Sequence, residues 1–467
     1  MRKISLICVI LSILCVLNIV AMPVSAAEAD MSVTNGCHSA DAAIPLSDEG
    51  KLAKTAKAVV LYELNSDTMI YAWNPDERIY PTSMVKMMTA LVTLENAALT
   101  DEVTVTRTAL NAVAIGSVSA GLVVGEVLTV EDLLYCMMVG SANDASTVLA
   151  EHVAGDQAAF VQMMNEKAAQ LGCAGTAYTN AHGLHDEGTY TTARDLCRIT
   201  EAALENEVFK TLFTTATHTV PATNKSAERI VNTTNYMMKD SDHKKYPDDR
   251  VTGGKTGATN QGGRCLTLTA EGNGMNVLCI VMGAKPTVAE DGSLTAYGSF
   301  EESKALLDVV FEKFEYRQIF FGGQSISQYP VAGGASDVVT QPADSASTVL
   351  PLELDRTALR WDYQQTVGAI SAPVKQGSEL GTVQVWYGTK CLAQTQMVAM
   401  HDVPVKEAPV VPERPAGANG GGIIGILLTA AGIVAGVLVA AILVLFAIRY
   451  TKILLRTMRR RNKRRRR

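Results

Sequence analysis

A serine and a lysine three residues apart, Ser83 and Lys86, are the first side chains in the sequence able to do chemistry together. Apolar residues at 84, 87, 88, 91 and 94 predict a helix over residues 83–97, which places this pair on one helix face. A serine hydroxyl becomes nucleophilic beside a base, and a lysine is such a base when burial or a second cation keeps it neutral. Taken alone, the pair is more simply explained by a capping serine and an exposed lysine.

A second pair, Ser141 and Asn143, lies between two predicted helices, residues 130–139 and 144–153. A loop there can project a hydroxyl and a carboxamide into a cleft. Asn143 would orient a substrate amide, and Ser141 would relay a proton to the leaving group. Because Ser, Asn and Asp commonly begin helices, capping is the simpler explanation when this pair is considered alone.

A third group, Lys255, Thr256 and Gly257 with Ala258 next, lies on a strand predicted to begin at residue 250. A lysine and a threonine on an edge strand beside a cleft can hold a substrate carboxylate, and Gly257 would leave room for a ligand backbone. A backbone N–H just beyond can donate to an oxyanion. Alone, the tripeptide is weak evidence because it is common in turns.

The elements that must position these groups follow an α+β pattern. The order strand, strand, helices, strands, helix predicts an antiparallel sheet with helices packed around it. Thr192 and Asp195 occupy N-cap positions of one of these helices. The predicted strands are residues 56–63, 68–73, 250–255, 264–270 and 276–282, and the predicted helices are residues 83–97, 130–139, 144–153, 193–205 and 301–314.

The three groups together resemble the active-site serine penicillin-recognising enzymes, with Ser141 58 residues after Ser83 and Lys255 a further 114 residues on. Residues 80–90 and 180–196 are similar, more narrowly, to the low-molecular-mass penicillin-binding proteins that are D-alanyl-D-alanine carboxypeptidases. The resemblance covers roughly residues 50–405. It implies a transpeptidase/β-lactamase-like antiparallel sheet flanked by helices, then a small all-β domain.

The resemblance also implies a catalytic role for each polar residue of the first two groups. Ser83 would be the acylated nucleophile and Lys86 its general base, while Ser141 and Asn143 would shuttle a proton and position the substrate. The implied substrates are peptidoglycan stem peptides ending in D-Ala-D-Ala, in cell-wall biogenesis and cell shape, and β-lactam antibiotics would acylate the same serine.

The implied substrate-binding residues are Lys255, Thr256, Gly257 and Ala258. Lys255 and Thr256 would recognise the terminal carboxylate, and Lys255 would also help to keep Lys86 neutral. The backbone N–H groups of Ser83 and Ala258 would form the oxyanion hole. Some relatives carry an arginine before the last helix of this domain, where the present sequence has Ser299, so carboxylate binding is expected to rest on Lys255 and Thr256.

No cofactor is implied, and no metal is expected. His182 and His185 are three residues apart, which would suit a zinc pair, but a third ligand and an HExxH motif are missing from the sequence. Nothing marks any of the seven histidines as the partner of a serine in a Ser-His-Asp triad.

Nine cysteines at irregular spacing do not predict a disulfide framework. Those in apolar runs are expected to be buried thiols, namely Cys136, Cys197, Cys265 and Cys279.

Charge is distributed very unevenly along the 467 residues. The formal net charge is −6, but residues 27–448 carry −19 and the last 19 residues carry 11 basic side chains and no acidic one. An acidic body argues against nucleic-acid binding.

Residues 1–26 have the order of a secretory signal peptide. Residues 423–448 contain no charge and are long enough for a single membrane span. The basic tail predicts a cytoplasmic C-terminus and an extracytoplasmic body at the cell membrane.

The sequence therefore divides into a series of predicted segments. They are a signal peptide (1–26), a flexible leader (27–50), a catalytic domain (51–316), a small β-sandwich domain (317–405), a Pro/Gly spacer (406–422), a transmembrane helix (423–448) and a basic cytoplasmic tail (449–467).

The preferred function is a penicillin-sensitive serine D,D-carboxypeptidase that removes the terminal D-alanine through an acyl-enzyme. A D,D-endopeptidase or a β-lactamase of the same superfamily remains an alternative, as does a non-catalytic wall-binding protein. A class A β-lactamase would need a deacylating glutamate after Ser141 and Asn143, where this sequence has residues 180–184, Asn-Ala-His-Gly-Leu.

Overall fold

The computed structural model describes residues 52–289, 294–366 and 368–407. The predicted signal peptide, leader, transmembrane helix and cytoplasmic tail lie outside these residues, as does the spacer from residue 408. Within the described ranges, no helix combines the length and the apolarity that crossing a membrane requires.

The first part of the described chain contains both helices and strands, and strands dominate the last part. The helices are α1 (Val85–Asn96), α2 (Arg107–Asn111), α3 (Val130–Met138), α4 (Asn143–Ala154), α5 (Gln157–Gln170), α6 (Ala193–Leu204), α7 (Glu207–Thr214) and α8 (Gly298–Lys313), with 3-10 turns at Thr82–Met84 and Arg356–Ala358. The strands are β1 (Ala58–Glu63), β2 (Thr68–Trp73), β3 (Glu102–Thr104), β4 (Val127–Thr129), β5 (Thr217–Val220), β6 (Arg229–Asn232), β7 (Val251–Thr259), β8 (Gly263–Gly272), β9 (Met275–Ala284), β10 (Thr287–Val288), β11 (Leu294–Ala296), β12 (Phe314–Phe320), β13 (Ser327–Tyr329), β14 (Val331–Ala332), β15 (Val338–Pro342), β16 (Ala346–Pro351), β17 (Leu359–Gln365), β18 (Ile370–Ser371), β19 (Glu379–Tyr387) and β20 (Lys390–Ala399).

A five-stranded antiparallel sheet of order β2-β1-β9-β8-β7 forms the centre of the fold. Successive side chains of a strand point to opposite faces, so Val60 of β1 lies in the apolar cluster under the helices while Val59 and Leu61 lie in a second cluster. Both faces of the sheet are therefore covered, which explains why β1 and β9 read as almost unbroken apolar runs. The predicted antiparallel sheet with flanking helices is confirmed.

Helix α1 lies in the middle of the helical layer, where it packs against α3, α4, α5, α6 and α7. Its first nine residues are all buried, as expected of a helix surrounded by others rather than lying at the surface. It begins at Val85 rather than at the predicted residue 83, because a 3-10 turn, Thr82–Met84, precedes it. Ser83 is consequently in that turn.

The remaining predicted elements occur with small shifts of their ends. The Thr192 hydroxyl accepts a hydrogen bond from the Asp195 backbone N–H at 3.0 Å, the predicted N-cap of α6. Helices α2, α5 and α7 and the strand pairs β3–β4 and β5–β6 were not predicted. Only three residues of α5 are buried, at four-residue intervals, so its apolar stripe is narrow.

The C-terminal part is an all-β domain, as predicted. Its main sheet has the order β13-β15-β20-β19-β17, and the short pairs β12–β16 and β14–β18 complete it. The apolar cluster on one face of the central sheet continues through Phe314 and Phe320 of β12 into Val349 and Leu392 of this domain. The two parts thus share buried apolar surface instead of meeting only through a linker.

Candidate active site

The backbone before Ser83 is in an unusual conformation. Thr82 has a φ of 55°, which a β-branched residue rarely adopts. Two glycines pack directly against it: a Cβ at Gly183 would lie 1.9 Å from the Thr82 carbonyl oxygen, and one at Gly257 would lie 1.8 Å from its Oγ1. We predicted that Gly257 leaves room for a ligand, whereas the structure uses that space for Thr82. Backbone at both glycines therefore supports the turn that carries Ser83.

Lys86 is completely buried one turn after Ser83, and its ammonium group has three acceptors. Its Nζ lies 3.3 Å from Ser83 Oγ and 2.6 Å from Asn143 Oδ1, and it also donates to the carbonyl oxygen of His182. In the neutral amine, the amide and carbonyl oxygens can take the two N–H groups. The nitrogen lone pair is then directed to the serine hydroxyl.

Burial makes the neutral form of Lys86 accessible. Loss of solvation is the largest cause that holds the pKa of the Lys86 ammonium well below its usual value, and the positive charge of Lys255 lowers it further. The carboxylate of Asp144 acts in the opposite direction. A lysine whose pKa is lowered in this way can accept the proton of Ser83.

Ser141 and Asn143 come from the junction between α3 and α4, as predicted. Ser141 has a φ of 61°, and the backbone N–H of Asn143 donates to the Val118 carbonyl oxygen at 2.9 Å. Ser141 Oγ accepts a hydrogen bond from Lys255 Nζ at 2.8 Å. Asn143 thus contacts Lys86, and Ser141 contacts Lys255. This second pair therefore connects the Ser83–Lys86 pair with the Lys255 group.

Lys255 and Thr256 lie on β7, the edge strand of the central sheet, as predicted. The Lys255 side chain is buried, and this burial lowers the pKa of its ammonium to about 7. Its Nζ also donates to the Thr256 carbonyl oxygen at 3.3 Å. The Thr256 hydroxyl hydrogen-bonds the Thr234 hydroxyl.

A cavity of about 240 Å³ opens over these groups. Five predicted residues line it, namely Ser83, Ser141, Thr256, Gly257 and Ala258. The other three predicted residues, Lys86, Asn143 and Lys255, lie beneath its surface, where they are 0–3% exposed. The structure therefore brings all eight predicted residues into one site, and the roles given to them remain predictions.

Several residues of the cavity were not predicted. They are Val118, Thr234, Tyr236, Arg264, Cys265, Tyr297 and Phe300, and they join Ser299, which was noted in the sequence as the position of a missing arginine. Tyr297 and Phe300 flank that serine in the sequence, a signal that could have identified them. Arg264 carried no such signal, because it enters the site through the pairing of β8 with β7.

The two histidines considered for zinc are in separate surroundings. The His182 ring Nδ1 accepts the Leu184 backbone N–H at 3.1 Å, and burial, followed by the charge of Lys86, lowers the pKa of this imidazole to about 4. The His185 ring contacts Tyr80 edge to face, with 4.5 Å between ring centroids. Throughout the described part of the chain, no group of three His, Cys, Asp or Glu residues is placed to hold a metal ion. Cys136, Cys197, Cys265 and Cys279 are buried free thiols, as predicted.

Comparisons with known proteins agree with this site. A family model described as D-alanyl-D-alanine carboxypeptidase (Peptidase_S11) matches residues 46–286, and one described as the C-terminal domain of penicillin-binding protein 5 matches residues 314–405. The D-alanyl-D-alanine carboxypeptidase DacF of Bacillus subtilis is 29% identical over 359 residues, 76% of this chain and 87% of that protein. DacA of Haemophilus influenzae is 30% identical over 357 residues, 75% of this chain and 85% of that protein.

The fold has solved counterparts as well. Penicillin-binding protein 5 from Haemophilus influenzae superposes with a TM-score of 0.59 at 29% identity, covering 75% of this chain and 98% of that one. The family model matches more than half of the chain and coincides with the part that contains Ser83, Lys86 and Lys255. The resemblance inferred from the three sequence groups is confirmed, and the chain belongs to the D-alanyl-D-alanine carboxypeptidase family.

Proposed function

We propose that this chain is a serine-type D-alanyl-D-alanine carboxypeptidase that removes the terminal D-alanine from peptidoglycan stem peptides. The observation that carries the proposal is the pair Ser83 and Lys86, whose Oγ and Nζ atoms are 3.3 Å apart in a buried setting that lowers the pKa of the lysine. A nucleophile beside a neutral amine, opening on a cavity, is the arrangement that acyl transfer requires.

Acylation would proceed in two proton transfers. Neutral Lys86 accepts the Ser83 hydroxyl proton as Oγ bonds to the carbonyl carbon of the penultimate D-alanine. The backbone N–H groups of Ser83 and Ala258, both at the cavity wall, are the donors for the resulting oxyanion. Ser141 then passes a proton to the departing nitrogen as the peptide bond breaks, and Lys255, which donates to Ser141 Oγ, can resupply it.

Deacylation would regenerate the enzyme with water as the second substrate. Lys86 first gives up the proton that it took from Ser83, which replaces the one that Lys255 supplied, so both lysines return to their starting state. Neutral Lys86 then takes a proton from water, the hydroxide adds to the ester carbon, and the proton returns to Ser83 Oγ as the ester bond breaks. The products are the shortened peptide and the free enzyme.

Release of D-alanine from a synthetic pentapeptide is the direct test, measured with the full chain in detergent and with the Ser83→Ala variant. The wild type is expected to release D-alanine and the variant to release none. If wild-type protein instead cleaves only cross-linked peptide dimers, it is an endopeptidase, and turnover of penicillin without D-alanine release would identify a β-lactamase. Binding of peptidoglycan without turnover of any of these substrates would identify a wall-binding protein.

Penicillin sensitivity is part of the same proposal, because the strained β-lactam amide would be attacked by the same Oγ. A labelled penicillin is expected to attach covalently to the wild-type chain and not to Ser83→Ala. Equal labelling of both proteins would contradict the assignment of Ser83 as nucleophile.

We further propose that the protein is exported and held in the cell membrane by one C-terminal helix, residues 423–448. The proposal is supported by the signal-like residues 1–26 and by the basic residues that follow the apolar segment. In intact cells, externally added protease should digest residues 52–407 and leave a tag after residue 467 uncut. Recovery of the whole chain in the soluble fraction would contradict this location.

A further inference from the structure

The terminal carboxylate of the substrate lacks a dedicated cation in the site described so far. Lys255 is 1% exposed and already donates hydrogen bonds to Ser141 Oγ and to the Thr256 carbonyl oxygen. Its ammonium is thus engaged beneath the cavity surface, and burial leaves it only partly charged at neutral pH. Ser299, at the position where some relatives carry an arginine, is a neutral residue of the cavity wall.

Arg264 is the charged residue among those that line the cavity. It lies near the start of β8, directly opposite Ala258 of β7 in the strand register. Within the described residues, no carboxylate lies within salt-bridge distance of its guanidinium group. Its Cζ atom instead lies 5.2 Å from the centre of the Tyr297 ring, two residues before Ser299. A permanently charged group is therefore held at the cavity wall by an aromatic face, with its hydrogen-bond donors available.

The position of Arg264 also suits the length of the substrate. In a D-Ala-D-Ala end, the carboxylate carbon lies two bonds beyond the scissile nitrogen, roughly 3–4 Å from the scissile carbonyl carbon. The scissile carbonyl would be placed beside Ser83 and the Ala258 N–H. Directly paired residues on neighbouring strands have Cα atoms about 4.5–5.5 Å apart, well within the reach of an arginine side chain.

We propose that Arg264 binds the terminal carboxylate of the substrate, with Tyr297 holding its guanidinium group in place. This inference rests on the proposed carboxypeptidase function, because it names the residue that recognises the end of that substrate. A planar guanidinium can hold both carboxylate oxygens at once, which the buried Lys255 cannot do. The cation that Ser299 lacks is thus supplied from β8, on the same cavity wall.

The experiment compares a β-lactam that carries a carboxylate with one that does not. Acylation rates of the full chain in detergent are measured with benzylpenicillin and with its methyl ester, for the wild type, Arg264→Gln and Arg264→Lys. Arg264→Gln should slow acylation by benzylpenicillin about 10–100-fold, as expected for losing hydrogen bonds to a charged group, and leave the ester rate unchanged. Arg264→Lys should recover part of the benzylpenicillin rate, since it restores the charge but not the planar fork.

Two further variants control for charge and for structure. Lys285→Gln removes an exposed positive charge near the N-terminus of α8, outside the cavity, and should change neither rate. Adding Ser299→Arg to Arg264→Gln should restore discrimination between acid and ester, because it returns a guanidinium to the same wall.

If Arg264→Gln lowers the acylation rates with benzylpenicillin and with its methyl ester equally, Arg264 has a structural role and the proposal is overturned. If it lowers neither rate, the proposal is overturned outright. Acylation by penicillin is measured independently of D-alanine release. If the wild type discriminates acid from ester through Arg264 but releases no D-alanine, the carboxypeptidase assignment fails while Arg264 remains the carboxylate-binding residue.

Discussion

The floor and the rim of the cavity are built in different ways. The floor consists of Ser83, Lys86, Ser141, Asn143 and Lys255, and its polar atoms are joined by hydrogen bonds of 2.6–3.3 Å. The rim consists of Tyr236, Arg264, Tyr297, Ser299 and Phe300, and its rings contact one another with centroids 5.5–5.8 Å apart. Hydrogen bonds connect the groups of the floor, whereas the rim presents to the cavity the charge of Arg264 and three aromatic rings that are inclined to one another by 47–75°.

This difference teaches that reactivity and substrate choice are separable in this site. Groups of the floor are buried and bonded to each other, so changing any one of them alters the protonation or position of the rest. Groups of the rim line the cavity and contact one another through their rings, without a shared network of hydrogen bonds to titratable groups. Changes to the floor should therefore reduce the rate for every substrate, and changes to the rim should alter the preference among substrates.

The largest effect is expected from Lys86→Met, which removes the base and keeps the length of the side chain. Loss of a general base should slow acylation about 10²–10⁴-fold, equally for benzylpenicillin and its methyl ester. Rapid-quench measurement of acyl-enzyme formation gives both rates, and thermal unfolding checks the fold. A rate loss confined to the carboxylate-bearing compound would show that the floor also selects substrates.

The next effect concerns the backbone under the floor. Gly183→Ala places a Cβ against the Thr82 carbonyl oxygen at a φ of +81°, so it should displace the turn carrying Ser83. Gly172→Ala is the matched control, since its φ is +69° and a Cβ there meets nothing within 4 Å. The left-handed backbone alone should cost each variant about 1–2 kcal/mol of unfolding free energy, and Gly183→Ala should cost more because its Cβ meets the Thr82 backbone.

Only Gly183→Ala should also slow acylation, by roughly 10²-fold, as expected when a reacting group moves by about 1 Å. Denaturant unfolding and acylation rates distinguish the two contributions. Similar activity in both variants would mean that the turn tolerates displacement and that the floor is less rigid than its packing indicates.

The floor could be predicted from the sequence because its parts are local. The spacing of Ser83 and Lys86 on one helical turn, and the placement of Lys255 on an edge strand, follow from periodicity and motif alone. What could not be predicted is the surroundings of Lys86, which include the His182 carbonyl oxygen from a residue 96 positions away in the sequence. The displacement of Ser83 into a 3-10 turn likewise depends on packing against Gly183.

The rim was missed for a related reason. Arg264 reaches the cavity because the turn between β7 and β8 pairs it with Ala258, and strand register is a property of the folded sheet. Helix α5 was missed because only Phe160, Met164 and Ala168 are buried along it. In the sheet, by contrast, both faces are covered, and the resulting apolar runs made its strands easy to predict.

The coupling between the two lysines gives a pH effect of intermediate size. The acylation rate should rise with pH as Lys86 loses its proton. Burial first, and then the charge of Lys255, lower the pKa of Lys86 and so keep this rising limb of the pH profile at low pH. Removing the charge with Lys255→Gln should raise the pKa of Lys86 and move the limb to higher pH. The shift should be largest below about pH 7, where wild-type Lys255 is still mostly protonated.

The position of the limb, rather than the height of the plateau, is the quantity to compare, since Lys255→Gln can also weaken ligand binding. The pH at which the rate rises is obtained by measuring acylation by the methyl ester across pH 5–9, about the range in which such shifts are measurable. Lys285→Gln should leave the limb in place. A limb that moves to lower pH in Lys255→Gln would contradict the proposed coupling.

The smallest effect is expected on the rim, from Tyr297→Leu. This substitution removes the ring beneath the Arg264 guanidinium but keeps the backbone N–H that donates to the Tyr246 hydroxyl at 3.1 Å. Loss of an exposed cation–π contact is worth about 0.5–1 kcal/mol, so kcat/KM for D-alanine release should fall about 2–5-fold. The change should be in KM, with kcat unaltered, because the floor is untouched.

Tyr363→Leu is the control, since Tyr363 is a half-exposed aromatic residue in the C-terminal β domain. A fall in kcat in Tyr297→Leu would mean that rim and floor are coupled, and the separation of reactivity from substrate choice would then fail.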